Sequence, residues 1–239
     1  MRSRLHCQLQ DMIAYDPSQP LIGLHVPKTA GNSIRSILEN WYPGRKLLLH
    51  YRQGDELPVK HELQGGLCVY GHFNACRKFG VLDYYPEVRQ FFCFLREPYA
   101  RFVSQWLYLN PNGEKHDRIA FERWLALRAE EQLAGINTYS FVWHFPALPT
   151  ATSIDSMFDE MFVFIGIFER LQQSVDSLAL ALQKETTNIS HINISERVAA
   201  DFETFRPIFE KHFVDELQIY EVALAANAEM TRMLTSVRI

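Results

Sequence analysis

The chain has 239 residues, 47% of them hydrophobic and 22% charged, enough to bury a large core in one domain or in one domain with a helical elaboration. With 24 Lys and Arg against 28 Asp and Glu, the net charge of −4 gives no support to wholesale nucleic-acid binding. The charge is uneven: residues 1–120 carry 15 basic against 11 acidic side chains and residues 121–239 carry 9 against 17, so an anionic ligand is better received by the first half.

Residues 1–20 are polar, lack the apolar core of a leader and end in the turn sequence DPSQP. No later run approaches the length of a membrane span, which predicts a cytoplasmic protein without a transmembrane segment. Residues 21–26 (LIGLHV) read as a strand and residues 27–31 as a tight loop. A helix then opens near Asn32 and runs to about Trp41, ended by Pro43-Gly44. KLLLHY (residues 46–51) is a second strand and LCVYGHF (67–73) a third. A turn-rich stretch around residues 83–86 leads into QFFCFLRE (90–97), continuous and apolar as a strand buried on both faces should be. Pro98 suits the first position of a helix running to about Leu109.

Residues 110–116 form a loop and Arg118–Leu133 a helix. The aromatic, proline-punctuated stretch 138–150 precedes MFVFIGIF (161–168), the last clear strand. It is followed by a helix with Leu171, Val175, Leu178 and Leu182 on one face. The segment around 187–195 is loop-like, and the tail from about Ala199 is mostly helix. Strands alternating with helices predict an α/β fold, a parallel sheet flanked by helices. Of the four cysteines, Cys7, Cys68, Cys76 and Cys93, none has metal-ligand spacing. Cys68 and Cys93 fall in apolar runs and read as buried thiols, which fits a reducing compartment.

In an open parallel sheet, ligands bind beyond the carboxyl ends of the strands. Three chemically loaded residues fall there: Lys28 after LIGLHV, His72 after LCVYG and Arg96 after FFCFL. The loop that begins at Pro27 points backbone N–H groups and the positive end of a helix at one spot, a place for an anion. Lys28 adds a mobile charge, and Thr29, Asn32 and Ser33 add short donors. Small Ala30 and Gly31 let a phosphate approach the backbone. The spacing is not the G-x-x-x-x-G-K-[ST] of nucleotide triphosphatases, because here the lysine comes first. His25, inside the first predicted strand, reads as structural.

HVPKTAGNS (residues 25–33) resembles the HxPKTAGTS signature of PAPS-dependent carbohydrate sulfotransferases, with Asn32 where the family usually has Thr. PAPS is 3′-phosphoadenosine 5′-phosphosulfate. LREPYARFVSQW (95–106) resembles the family's LRDPxxRxxSxY element, with Glu97 in place of Asp at a capping position. Gly71-His72-Phe73 resembles the G-H element of the uronyl branch, typified by heparan sulfate 2-O-sulfotransferases. FVFIGIFERLQQSV (162–175) is similar to VGxxERxxxSL, with Glu169 and Arg170 expected as a structural ion pair. HINIS (191–195) is similar to a loop near the nucleotide in relatives.

The resemblance implies a P-loop-like parallel sheet in a single sulfotransferase domain, 1–239, with its core at about 21–195 and C-terminal helices at about 199–236. It implies sulfuryl transfer from PAPS, without a metal, to a hydroxyl of a saccharide or glycoconjugate, releasing adenosine 3′,5′-bisphosphate (PAP). In that reading Pro27, Lys28, Thr29, Ala30, Gly31, Asn32 and Ser33 hold the 5′-phosphosulfate, and Arg96 and Ser104 hold the 3′-phosphate. His72 is the base, and Lys28 stabilises charge on the bridging oxygen. Ser104 lies two helical turns beyond Glu97, with Arg101 on nearly the same face, and arginine offers phosphate a planar fork. Trp106, Trp124, Tyr139 and Trp143 are either sugar-stacking or core aromatics. Golgi relatives carry an N-terminal anchor, so the polar start implies a bacterial-type member or a trimmed form. The residues alone leave open a nucleotide-dependent kinase on a related fold and a non-catalytic PAP-binding interaction protein.

Overall fold

The computed structural model describes residues 13–54, 56–111, 116–146, 154–189 and 200–236. Five parallel strands form one sheet: β1 (Leu21–Leu24), β2 (Leu47–His50), β3 (Cys68–Gly71), β4 (Phe91–Leu95) and β5 (Phe162–Ile167), in the order β2-β3-β1-β4-β5. Around it lie α1 (Gly31–Trp41), α2 (Val81–Tyr84), α3 (Pro98–Leu109), α4 (Arg118–Leu133), α5 (Ile154–Met161), α6 (Leu171–Ala181), α7 (Arg206–His212) and α8 (Val214–Ser236). This is the predicted α/β architecture, with a helical C-terminal part. The HINIS segment and Cys7 lie outside the described residues. No helix among the described residues is long and apolar enough to cross a membrane.

Central β1 pairs with β3 on one side and β4 on the other. Every residue of β4 and β5 is buried, which is why their sequences are apolar at each position rather than alternating. Helix α1 buries Ile34, Ile37, Leu38 and Trp41, a one-face repeat, and ends where Tyr42 N–H bonds the Leu38 carbonyl ahead of Pro43. Leu171, Val175, Leu178 and Leu182 are buried together, as their spacing predicts.

Strand β1 is shorter than the apolar run that encodes it. It stops at Leu24 rather than Val26, because the Val26 N–H turns back onto the Leu24 carbonyl at 3.1 Å. Helices α2 and α5 are additions to the expected list; α2 occupies the turn-rich stretch before β4.

A second apolar cluster lies beside the sheet core. Tyr99, Phe102 and Trp106 of α3 meet Phe121 and Leu125 of α4 and Phe202, Phe209 and Phe213 of the C-terminal part. Trp106 and Trp124 belong here: the Trp124 ring lies 4.1 Å from Phe102 and 5.6 Å from Trp106. Trp106 is a core aromatic, while Trp124 packs against the cluster partly buried. Arg101 is buried too. Its guanidinium donates to the Tyr139 carbonyl and pairs with Glu216 of α8 at 3.3 Å, while Glu216 accepts from Phe141 N–H at 2.9 Å and from the Ser140 hydroxyl. This buried pair ties α3 and α8 to the segment 137–145.

Candidate active site

All five strands run the same way, so their carboxyl ends share one rim, and a cleft of about 610 Å³ opens there. The register sets Leu24 of β1 beside Gly71 of β3 and Cys93 of β4. The loop carrying Lys28 therefore rises between the segments carrying His72 and Arg96. All three side chains line the cleft.

The loop after β1 bends through two left-handed non-glycine residues, Lys28 (φ 70°) and Ala30 (φ 69°). Of the residues expected to meet an anion, Pro27, Lys28, Ala30, Gly31, Asn32 and Ser33 line the cleft. Thr29 does not: it is buried, and its hydroxyl donates to the Val26 carbonyl at 2.8 Å. Helix α1 starts at Gly31 with no side-chain cap and no acidic residue in its first turn, so its leading N–H groups and positive end are left for an anion.

The Lys28 ammonium rests over the Tyr108 ring, 4.1 Å from its centroid. Burial lowers its pKa, and the charge of Arg96 lowers it further. Arg96 stacks on Phe168 at 4.2 Å, and its Nε is buried with no hydrogen-bond partner. Ser104 lines the same cleft from α3. Glu97 caps that helix, accepting from Tyr99 N–H at 3.2 Å and Ala100 N–H at 2.7 Å. Glu169 is not paired with Arg170. It accepts from Glu97 N–H at 3.0 Å and the Tyr220 hydroxyl at 2.7 Å, bracing the β4 and β5 ends together. Two cations and an uncapped helix end thus face one space, which suits a ligand with more than one anionic group.

Across from them His72 is held by geometry that fixes its chemistry. Its Nδ1 lies 2.7 Å from the His25 carbonyl. A carbonyl only accepts, so the proton sits on Nδ1 and the Nε2 lone pair is free. Burial lowers the His72 pKa, against the opposing pull of that carbonyl, and favours the neutral ring. Gly71, just before it, passes so close to β2 that a Cβ there would lie 1.9 Å from the His50 carbonyl.

His25 is part of the site, contrary to its reading as a strand residue. Its ring stacks on His72 with centroids 4.2 Å apart and on Tyr70 at 5.4 Å, and its Nδ1 bonds the Tyr51 hydroxyl at 3.0 Å. The packing depends on Gly31, where a Cβ would fall 1.6 Å from His25 Nε2. Gly31→Ala is expected to push His25, and with it His72, out of place, destabilising the fold by about 1–3 kcal/mol. Thermal melting checks the first effect and loss of turnover the second.

Several cleft residues carry no motif. Tyr51 and Arg52 follow β2 directly, so the strand-end rule that finds Lys28 would have found them. Asn74, Arg77, Thr138 and His144 have no such signal. Tyr139 is the one proposed sugar-stacking aromatic on the cleft wall.

The histidines also set acid stability. Burial takes His25 down to about 2, His144 to about 3 and His50 to about 4, from 6.5. The unfolded chain therefore takes up these protons first: stability is full above about pH 6.5 and drains as pH falls toward the folded values. At pH 5, His25 and His144 have each withdrawn about 2 kcal/mol. Melting temperature is expected to fall steeply between pH 6.5 and 5. His50→Phe, which also removes two ring nitrogens without partners, is expected to flatten that fall.

The sheet order, the flanking helices and the helical C-terminal part define the class: this is a sulfotransferase fold. The structure matches that of mouse sulfotransferase SULT7A1 complexed with PAP, at 13% sequence identity and a TM-score of 0.51. The match covers 95% of this chain and 90% of the mouse one. No protein-family model matches the chain, and no curated protein sequence does either.

Proposed function

We propose that the chain is a sulfotransferase that moves the sulfuryl group of PAPS to a hydroxyl of a saccharide or glycoconjugate, releasing PAP. The observation that carries this reading is the rim itself: Lys28 and an uncapped helix end beside Arg96 on one neighbouring strand end and His72 on the other. A nucleotide with phosphate at both ends of its ribose suits two cations lining one cleft, and a phosphate oxygen would give the guanidinium of Arg96, whose Nε has no protein partner, an acceptor. The mouse structure of the same fold holds PAP.

PAPS supplies an activated sulfuryl group on a phosphate leaving group. His72 Nε2 takes the proton of the acceptor hydroxyl as that oxygen bonds to sulfur and the bond between sulfur and the 5′-phosphate oxygen breaks. Lys28, with the N–H groups of the first turn of α1, stabilises the charge that the departing phosphate oxygen gains. Arg96 and Ser104 hold the 3′-phosphate and so fix the distance from nucleotide to base.

Incubating the full chain with PAPS and a panel of oligosaccharides tests this, with mass spectrometry reporting the sulfated product and calorimetry the binding of PAP. Magnesium-dependent transfer from ATP without any PAP binding would instead make it a kinase.

A further inference from the structure

The cleft wall beside His72 is almost fully satisfied by its own hydrogen bonds. Asn74 Nδ2 donates to the Thr138 carbonyl at 2.8 Å, and its Oδ1 accepts from Arg77 N–H at 3.0 Å. Arg77 Nη2 donates to the Thr138 hydroxyl at 2.9 Å, and the Tyr51 hydroxyl is engaged by His25. Among the described residues of this wall, the imidazole nitrogens without a protein hydrogen bond are Nε2 of His72, of His144 and of His25, and the last is packed against Gly31, where a Cβ would fall 1.6 Å from it.

His144 is 4% exposed and is among the residues that line the cleft, with its Nε2 buried behind the surface. Its Nδ1 lies 2.6 Å from the carbonyl of Phe73, the residue after His72, so the ring is anchored to the segment that carries the base. That carbonyl fixes the proton on Nδ1, leaving Nε2 a lone-pair acceptor. Burial, with the nearby charges of Arg101 and His72, lowers its pKa to about 3, so it stays neutral and does not compete as a base. A buried acceptor with no partner destabilises a fold, so a donor that reaches it, whether water or a ligand hydroxyl, is stabilising.

We propose that His144 Nε2 is the second hydrogen-bond acceptor of the acceptor pocket, so the molecule sulfated carries a hydroxyl beside the one that reacts. This rests on the sulfotransferase reading above. One hydroxyl gives its proton to His72, and its neighbour donates to His144 and keeps its proton. A saccharide ring supplies both donors, whereas a phenol or simple alcohol leaves His144 unpaired. His144 thereby selects polyols over isolated hydroxyls.

The test uses the full chain with isotope-labelled histidine nitrogens, with and without saturating PAP, titrated with vicinal cyclohexanediol or with cyclohexanol. The diol is expected to move the Nε2 resonances of both His72 and His144 upfield, and cyclohexanol that of His72 alone. His144→Asn retains a donor toward the Phe73 carbonyl but lacks Nε2. It is expected to weaken diol binding about tenfold, to the level of cyclohexanol. His144→Gln, whose carbonyl reaches the Nε2 position, is expected to restore it. Equal binding of the two probes by the wild type, or a diol preference that survives in His144→Asn, overturns the assignment. The PAP samples report separately: absence of PAP binding removes the sulfotransferase reading, while the diol pattern still decides the role of His144.

Discussion

Lys28→Ala is expected to lower kcat for sulfuryl transfer about a thousandfold, with a much smaller change in acceptor KM. The ammonium sits at the end of the central strand, half-buried and facing Arg96, where burial and that second cation both lower its pKa. Among the described residues no carboxylate pairs with it, and in the proposed reading such a charge meets negative charge that appears only as the leaving group departs, which acts on kcat. The backbone supplies an internal control. Lys28 has φ 70°, a conformation costing a non-glycine residue about 1 kcal/mol, and alanine inherits that strain while glycine escapes it. Lys28→Gly is therefore expected to be as inactive as Lys28→Ala yet to melt about 2–4 °C higher. An alanine variant within a few fold of wild-type kcat would separate Lys28 from the chemistry. Equal melting of the two variants would show that the loop stores no strain at this position.

How much of this was readable beforehand depends on what each residue answers to. Strands β4 and β5 are evident because a strand covered on both faces is apolar throughout, and the turn before α1 is evident because its residues serve the backbone locally. The roles of single side chains within that loop are not. Left-handed Lys28 and Ala30 alternate the direction of the chain, which sends Thr29 inward while its neighbours face the cleft. His25 hides for a related reason: its place turns on β1 stopping two residues before the apolar run does. His144 lies in a proline-punctuated stretch with no periodicity. The segment around it is tied down by Arg101 and Glu216, which stand far apart in the chain, and long-range pairings of this kind leave no local pattern. Trp106 looks available for sugar until the C-terminal phenylalanines close over that side of α3.

His72→Ala is expected to lower kcat at least a hundredfold while leaving PAP affinity unchanged, because in the proposed reading the imidazole serves the acceptor while the loop and Arg96, on the other side of the same cleft, serve the nucleotide. The pH dependence gives the sharper test. A general base works only when unprotonated, so the rate should be flat at high pH and fall as pH drops through the pKa of the ring. Burial places that pKa below the ordinary 6.5, and the bond from Nδ1 to the His25 carbonyl limits the shift without reversing it. The acid limb of kcat/KM for the wild type should therefore have its midpoint below pH 6.5, with a slope of about one in log units. In His72→Ala that limb should vanish from whatever rate remains. Its persistence would assign the titration to another group. A wild-type midpoint at or above 6.5 would mean that the ring meets water rather than the stacked face of His25, and the base would then have to be sought elsewhere on the rim.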